Sequence, residues 1–147
     1  MEVPPITANP TSSAVIVNEK NVIFDAYEIE GNNYFKLRDL AYVLNGTKKQ
    51  FEVVWDGDKN AISLTSDQAY TAVGSEMAGK GMSIKLPTPT SSQILLNGSL
   101  VNFTAYTIDG NNYFKLRDIG EAFDFGVVWD GARNAILIDT NTGYTTE

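Results

Sequence analysis

Two hydrophobic periods follow one another along this chain, and the succession happens twice. Val101, Phe103 and Ala105 fall on one side of an extended run and Asn102 and Thr104 on the other, the two-residue period of a half-buried strand. Val22 to Ile29 reads as the corresponding strand earlier in the chain. Ahead of it, Ala14 to Val17 is a short β-prone run that Asn18 to Asn21 turns. The Gly31-Asn32-Asn33 that follows suits a tight turn, because Gly and Asn tolerate positive φ, and Tyr34-Phe35 continue as a third strand. Then the period changes. Leu37, Leu40, Ala41 and Leu44 stand at i, i+3, i+4 and i+7, one face of a helix, and Leu116, Ile119, Gly120 and Phe123 take the same places later. Asn45-Gly46 is a helix stop. Phe51 to Trp55 and Ala61 to Thr65, joined by a turn at Asp56-Gly57, predict two more strands. The order β-β-β-α-β-β, with one amphipathic helix to cover one face of a sheet, predicts an α+β fold.

The two successions are copies of each other. Gly31-Asn32-Asn33-Tyr34-Phe35-Lys36-Leu37-Arg38-Asp39 recurs unchanged at Gly110 to Asp118, and residues 10–44 match 89–123 at 19 of 35 positions. Residues 53–71 match 127–145 at 10 of 19, including Val53-Val54-Trp55-Asp56-Gly57 against Val127-Val128-Trp129-Asp130-Gly131. The offset shrinks between the two blocks from 79 to 74, so the first copy carries five extra residues near Asn45 to Glu52, as a surface loop tolerates. Each copy opens on Pro-Thr-Ser-Ser, at Pro10 to Ser13 and Pro89 to Ser92. The expected organisation is a linker over 1–12, a module over 13–73, a Gly- and Pro-containing linker over 74–91, and a second module over 92–147. Modules this short bury only ~60% of their unfolded surface, so docking between them is compatible with the pattern but not demanded by it.

Composition narrows the chemistry. Of 147 residues none is cysteine and none is histidine, which removes disulfides, thiolate nucleophiles, zinc–thiolate sites and the commonest general base. The net charge is −7; residues 10–71 carry 6 basic and 9 acidic side chains, and residues 89–147 carry 3 and 7. Neither copy has the basic footprint of a nucleic-acid or anionic-membrane binder. No window approaches the ~18 apolar residues of a membrane span, and Met1-Glu2-Val3-Pro4-Pro5 lacks the pattern of a signal peptide. A secreted parent would therefore have lost its signal, with this chain cut from something longer.

The signature N-Y-F-K-L-R-D, V-V-W-D-G and N-A-I, in that order of elements, resembles the copper amine oxidase N-terminal-like (stalk) domain family. Tyr34, Leu37-Arg38 and Trp55-Asp56-Gly57 carry the resemblance in the first copy, and Tyr113, Leu116-Arg117 and Trp129-Asp130-Gly131 in the second. Many members have Pro before the Leu-Arg, where this chain has Lys36 and Lys115; Pro in the first helical turn is favoured but not needed. The resemblance implies, for each copy, a five-stranded antiparallel sheet wrapped around one helix. It also implies tandem modules on secreted or surface proteins of Gram-positive bacteria, often beside wall- or glycan-active enzymes. The copper site of the oxidases uses histidines of another domain, so the resemblance implies neither copper binding nor oxidase chemistry, and no cofactor or metal is expected here.

Several side chains invite a functional reading. Tyr27, Tyr34, Tyr106 and Tyr113 are the expected ligand-binding residues, a platform for a cell-wall or host glycan if their rings face solvent with wet hydroxyls. Trp55 and Trp129 would also serve as sugar platforms, but at a strand end facing a helix they are expected in the core. Arg38-Asp39 and Arg117-Asp118 would grip an anion, or else tie the helix start to the sheet, and the second is the expectation. With the two tryptophans they form the set expected to define the fold. Asp56-x-Asp58-x-Asn60 imitates the start of a calcium loop, but Ala61 stands where an EF-hand needs Gly, and Ala132 replaces Asp58 in the second copy, so a hairpin turn is the better account. Paired carboxylates are the one remaining catalytic route, and Glu28 and Glu30 become Thr107 and Asp109 in the second copy, so no catalytic residue is assigned.

The expected function is a non-catalytic extracellular module acting as spacer or interaction domain, its partners other domains of the same parent protein, a glycan or another protein; the alternative is a carbohydrate-binding module. The structural expectation is equally definite. The copies superpose outside residues 45–52 and each completes its own sheet, whereas a strand crossing from one copy into the sheet of the other would make the duplication one interleaved fold.

Overall fold

The computed structural model describes residues 6–78 and 83–145; residues 1–5 and 79–82 of the expected linkers and residues 146–147 of the expected second module lie outside the described residues. The first copy forms β1 (Asn9–Pro10), β2 (Ala14–Val17), β3 (Lys20–Asn21), β4 (Ala26–Ile29), β5 (Asn32–Lys36), α1 (Leu37–Leu44), β6 (Phe51–Asp56) and β7 (Ala61–Ser66). The second forms β8 (Thr88–Pro89), β9 (Gln93–Leu96), β10 (Ser99–Val101), β11 (Ala105–Ile108), β12 (Asn111–Lys115), α2 (Leu116–Phe123), β13 (Gly126–Asp130) and β14 (Ala135–Asp139). The protein is sheet-rich with two helices, in the α+β class. The strand expected over Val22 to Ile29 is shortened to β4, with residues 22–25 outside it and β3 falling in the turn expected over Asn18 to Asn21; its counterpart is broken between β10 and β11, so the Val101–Phe103–Ala105 alternation spans two strands.

The strands do not sort by copy. Five-stranded antiparallel sheets, one per copy, are absent among the described residues. Instead there is a six-stranded sheet of order β1-β4-β5-β12-β11-β8 and two four-stranded sheets, β10-β9-β7-β6 and β13-β14-β2-β3. In the central sheet β5 and β12 pair antiparallel with Phe35 opposite Phe114, Tyr34 opposite Lys115 and Lys36 opposite Tyr113. Phe35 and Phe114 are equivalent under the 79-residue offset and the two flanking pairs map onto each other, so an approximate two-fold axis passes through the Phe35–Phe114 pair. The outer sheets are made by exchange. The β6–β7 hairpin of the first copy adds parallel to β9 of the second, and the β13–β14 hairpin of the second adds parallel to β2 of the first. The division into modules 13–73 and 92–147 is thereby corrected: each copy completes a sheet of the other, and the duplication is one interleaved fold.

Short conserved-looking segments serve this exchange. Ser13 Oγ donates to Asn134 Oδ1 across the copies at 3.3 Å, and Ser92 Oγ to Asn60 Oδ1 at 3.2 Å, so the repeated Pro-Thr-Ser-Ser holds the strand it leads to against the partner hairpin. The linkers are also structural. Asn9–Pro10 and Thr88–Pro89 form the edges of the central sheet, and Ala8 exchanges backbone hydrogen bonds with Lys85 at 2.8 and 2.9 Å.

The central sheet separates two cores, as the two-residue period requires. Phe35 and Phe114 point into the larger one with Leu37, Leu40, Leu116 and Ile119 of the helices and the inward faces of the outer sheets. Phe51 stacks on Phe123 of the other copy with ring centres 4.3 Å apart. The extra residues of the first copy thus end on a buried cross-copy contact rather than only on the surface. The opposite face carries Tyr27, Ile29, Tyr34, Ile108 and Tyr113, closed over by Ala8.

Two outcomes follow from this arrangement. Residues 1–78 and 79–147 expressed separately are expected to be unfolded or to self-associate into a symmetric dimer, because each lacks the strand that completes its outer sheet; a well-dispersed monomer by NMR and light scattering would refute the exchange. Phe35→Ala or Phe114→Ala is expected to cost about 3–5 kcal/mol, read as a lowered denaturant midpoint in equilibrium unfolding.

Candidate functional site

The hairpin turns between β4 and β5 and between β11 and β12 have two residues each, Glu30-Gly31 and Asp109-Gly110, all at positive φ. That is the turn whose twist matches the flanking strands, and glycine takes its second place without strain. Because β5 and β12 run antiparallel, each turn projects past the end of the other copy's strand, where the helix begins. The repeated nonapeptide is therefore divided between two places. Its Gly-Asn-Asn faces the Lys-Leu-Arg of the other copy, and its own Lys-Leu-Arg faces the other copy's Gly-Asn-Asn.

Two equivalent clefts result. One, of about 150 Å³, is lined by Lys36, Leu37, Arg38 and Trp55 of the first copy and by Asn111 and Asn112 of the second. The other, of about 200 Å³, is lined by Lys115, Leu116, Arg117 and Trp129 of the second copy and by Asn32 and Asn33 of the first. Thr11 Oγ1 donates to Asn33 Oδ1 at 3.0 Å and Thr90 Oγ1 to Asn112 Oδ1 at 3.2 Å, which orients one amide at each mouth.

The aromatic residues are distributed opposite to expectation. Tyr27, Tyr34 and Tyr113 are buried and Tyr106 partly so, paired edge to face as Tyr27–Tyr113 and Tyr34–Tyr106 with centroids 5.3 Å apart in both pairs. Burial pushes the Tyr34 hydroxyl up to about 12, with Tyr106 and nearby carboxylates adding to it, and raises those of Tyr27 and Tyr113 as well. The ligand platform expected of these four tyrosines is corrected: they pack the second core, because the linker residues cover the face on which they lie. Trp55 and Trp129, expected inside, are 51% and 49% exposed. Each lies two residues beyond the buried Val53 or Val127, beside the hairpin turn, and its indole nitrogen lies over the turn glycine: a Cβ built on Gly57 or Gly131 would lie 3.5 or 3.4 Å from it. As contributors to a packed core the tryptophans are thus also corrected.

Arg38-Asp39 and Arg117-Asp118 stand at the helix starts, and the two copies use them differently. Arg117 Nη1 donates to the Val127 carbonyl of β13 at 3.3 Å, tying helix to sheet, and Asp118 Oδ2 accepts from the Thr104 N–H at 3.3 Å. Arg38 Nη1 donates instead to the Tyr70 hydroxyl at 3.1 Å. That hydroxyl donates to Glu76, whose carboxylate also accepts from the N–H groups of Val73 at 2.7 Å and Gly74 at 2.9 Å. The next residue, Met77, donates its N–H to Asp39 Oδ1 at 2.9 Å. The segment after the first copy is thus a strap over its cleft, and Ser75 and Glu76 form part of the lining. Beneath it Lys36 and Asp39 are buried 4.0 Å apart. Burial pushes the Asp39 carboxyl up, against the opposing pull of the Met77 N–H and Lys36. Sequence reasoning passed over Tyr70 and Glu76; the repeat marks Tyr70 through Tyr144, but Glu76 lies in a stretch without a counterpart.

Asp56 Oδ1 accepts from the N–H groups of Asp58 at 3.1 Å and Lys59 at 3.4 Å, and Asp130 does the same for Ala132 and Arg133, so these carboxylates shape hairpin turns. Among the described residues no three Asp or Glu side chains are grouped to hold a metal ion, and no helix is long and apolar enough to cross a membrane. In comparisons with known proteins the chain matches no family model, no curated protein and no solved structure.

The strap has a pH signature. Burial alone would raise the Glu76 carboxyl, but the Tyr70 hydroxyl and the backbone N–H groups outweigh it and hold the group down at about 2, below its ordinary 4.5. A depressed carboxylate contributes stability that is full above its unfolded value and lost as pH falls toward its folded one. Glu76→Gln is therefore expected to lower Tm at pH 6, with the gap to the parent closing between pH 4.5 and about 2. A gap constant over that range would show that the carboxylate does not hold the strap.

Proposed function

We propose that the chain is a non-catalytic interaction module of the stalk-like class that its motifs resemble. In this reading it serves as spacer or docking domain in an extracellular or cell-surface protein of a Gram-positive bacterium, beside a catalytic or wall-attached domain. The observation that carries the reading is the convergence of the repeated residues. Gly-Asn-Asn of one copy meets Lys-Leu-Arg and the tryptophan of the other at two equivalent clefts, one of them crossed by the strap, each with a half-exposed indole, two amides and two cations. A fold needs its turns and helix starts, but it does not need two tryptophans half in water. Exposed indoles ringed by polar side chains are the usual anchors of recognition surfaces. The acidic charge of both copies supports a partner other than a polyanion.

A second reading, a carbohydrate-binding module, is favoured by one specific feature. An indole face beside the carboxamides of Asn32 and Asn33, or of Asn111 and Asn112, can stack on a sugar ring while the amides bond its hydroxyls. This moves the sugar platform from the tyrosines to the tryptophans.

One binding experiment separates the readings. The chain is incubated with Gram-positive cell walls before and after protease treatment, and a Trp55→Ala/Trp129→Ala variant is run beside it. A protein-docking module binds only the untreated walls, a glycan binder binds both, and the variant loses about thirtyfold in either case, the scale of an aromatic hot spot. A parent chain that binds neither preparation overturns both readings.

A further inference from the structure

The strap over the first cleft shows what such a cleft accepts. Residues 70–77 lie across it in the order hydroxyl, carboxylate, backbone N–H: Tyr70 takes the Arg38 hydrogen bond, Glu76 takes that of Tyr70, and the Met77 N–H ends on Asp39. The second cleft repeats the receiving half of this arrangement. Tyr144 N–H bonds Asp124 Oδ1 at 3.0 Å as Tyr70 N–H bonds Asn45 Oδ1 at 2.9 Å, so the chain enters both places alike. Lys115 and Arg117 line the second cleft, and neither has a carboxylate within 4.0 Å among the described residues. Asp118, the counterpart of the strap's acceptor Asp39, uses Oδ2 for Thr104, and its Oδ1 makes no hydrogen bond among the described residues. Where Ser75 and Glu76 line the first cleft, no described residue has the equivalent place in the second.

We infer that the Trp129–Arg117 cleft is a receptor for an extended acidic peptide segment, bound as Ser75–Met77 lie on the first cleft. The N–H after the acidic residue is accepted by Asp118 as Asp39 accepts that of Met77, and the backbone runs beside the Trp129 ring; the carboxylate, which in the strap is held by the Tyr70 hydroxyl and backbone N–H groups, here faces Lys115 and Arg117. This rests on the interaction-module reading and specifies its ligand: a protein segment bearing a glutamate, rather than a sugar. The carboxylate supplies the charge complement to two cations on an otherwise acidic chain, and the indole supplies apolar area. The first cleft, already holding such a segment in its own chain, is the occupied half of the pair.

The test uses the full chain carrying Trp55→Phe, in which Trp129 is the sole indole of the two in the sequence. A synthetic peptide with the sequence of residues 72–78, Ala-Val-Gly-Ser-Glu-Met-Ala, is titrated while Trp129 emission is followed. The expected result is a saturable shift with Kd between about 10 μM and 1 mM, weakened at least about tenfold when the peptide Glu is Gln and again by Lys115→Ala in the chain. Added salt should weaken it too. Arg117→Ala is a second variant, with its fold checked by circular dichroism because Arg117 also ties α2 to β13. The reciprocal Trp129→Phe chain reports on the first cleft, where the built-in strap should hold the response at least about tenfold weaker. No saturable shift to millimolar peptide overturns the inference, as does equal binding of the Gln peptide. A shift with N-acetylated oligosaccharide and none with peptide also overturns it, while leaving the clefts as binding sites; loss of wall binding by the parent chain is what would overturn the broader reading.

Discussion

The antiparallel pairing of β5 with β12 is the contact on which the remaining structure depends. Its register sets Phe35 opposite Phe114, and the two-residue period then assigns every neighbour to a face: phenylalanines toward the helices, Tyr34 and Tyr113 toward the linker side. A slip of one residue would turn one copy's phenylalanine out of the larger core and the two tyrosines of its hairpin into it. The pairing also makes one continuous sheet of two hairpins that would otherwise each leave an edge unpaired, a liability for a small β-rich fold. With the centre joined, β2 and β9 lie beside the hairpins of the opposite copy, and the parallel additions follow. Parallel neighbours require a long connection, and here the body of the protein itself is that connection.

The same pairing makes the clefts. It places a two-residue turn of one copy against a helix start of the other, so neither of these two clefts belongs to a single copy. Repetition of a binding motif and repetition of a folding motif are usually alternatives. In this chain one nonapeptide is placed for both, since its middle residues, Tyr34, Phe35 and their counterparts, are buried while its ends line the clefts for which binding is proposed. The near-symmetry is broken in one direction only. The segment after the first copy folds back on that copy's cleft through Tyr70, Glu76 and Met77 and buries Lys36 and Asp39 under it. An ion pair so enclosed gains less than its distance suggests, because desolvation offsets the attraction; the strap itself is held here by the Met77 N–H on Asp39.

Much of this was legible from the residues alone. The i, i+3, i+4, i+7 spacing of Leu37, Leu40, Ala41 and Leu44 describes the buried face of α1, and the positions of α2, of the last hairpin in each copy and of their turns follow from patterns a few residues long. Absence of cysteine and histidine by itself narrows the chemistry. The aromatic residues were misplaced for an instructive reason. Alternation says that Tyr27 and Tyr34 lie on the face opposite Phe35, but not whether that face is covered. Ala8 and Lys85, from segments that read as linkers, join across it. Trp55 and Trp129 sit past the inward residues of their hairpins, where a strand-end position facing a helix argues for burial that the geometry does not supply.

By itself, then, the sequence determined the local elements, the duplication and the residues that the two copies share, because those are set by spacing along a continuous chain. Only the tertiary structure decided that the copies exchange hairpins, that their repeated ends converge on two clefts and that one cleft carries a strap. The physical reason is the repeat. When two copies present the same strand edges and the same hydrophobic faces, each edge is as complementary to the other copy as to its own, and no local pattern distinguishes the two pairings. The choice rests on the summed fit of three sheets and two cores formed together.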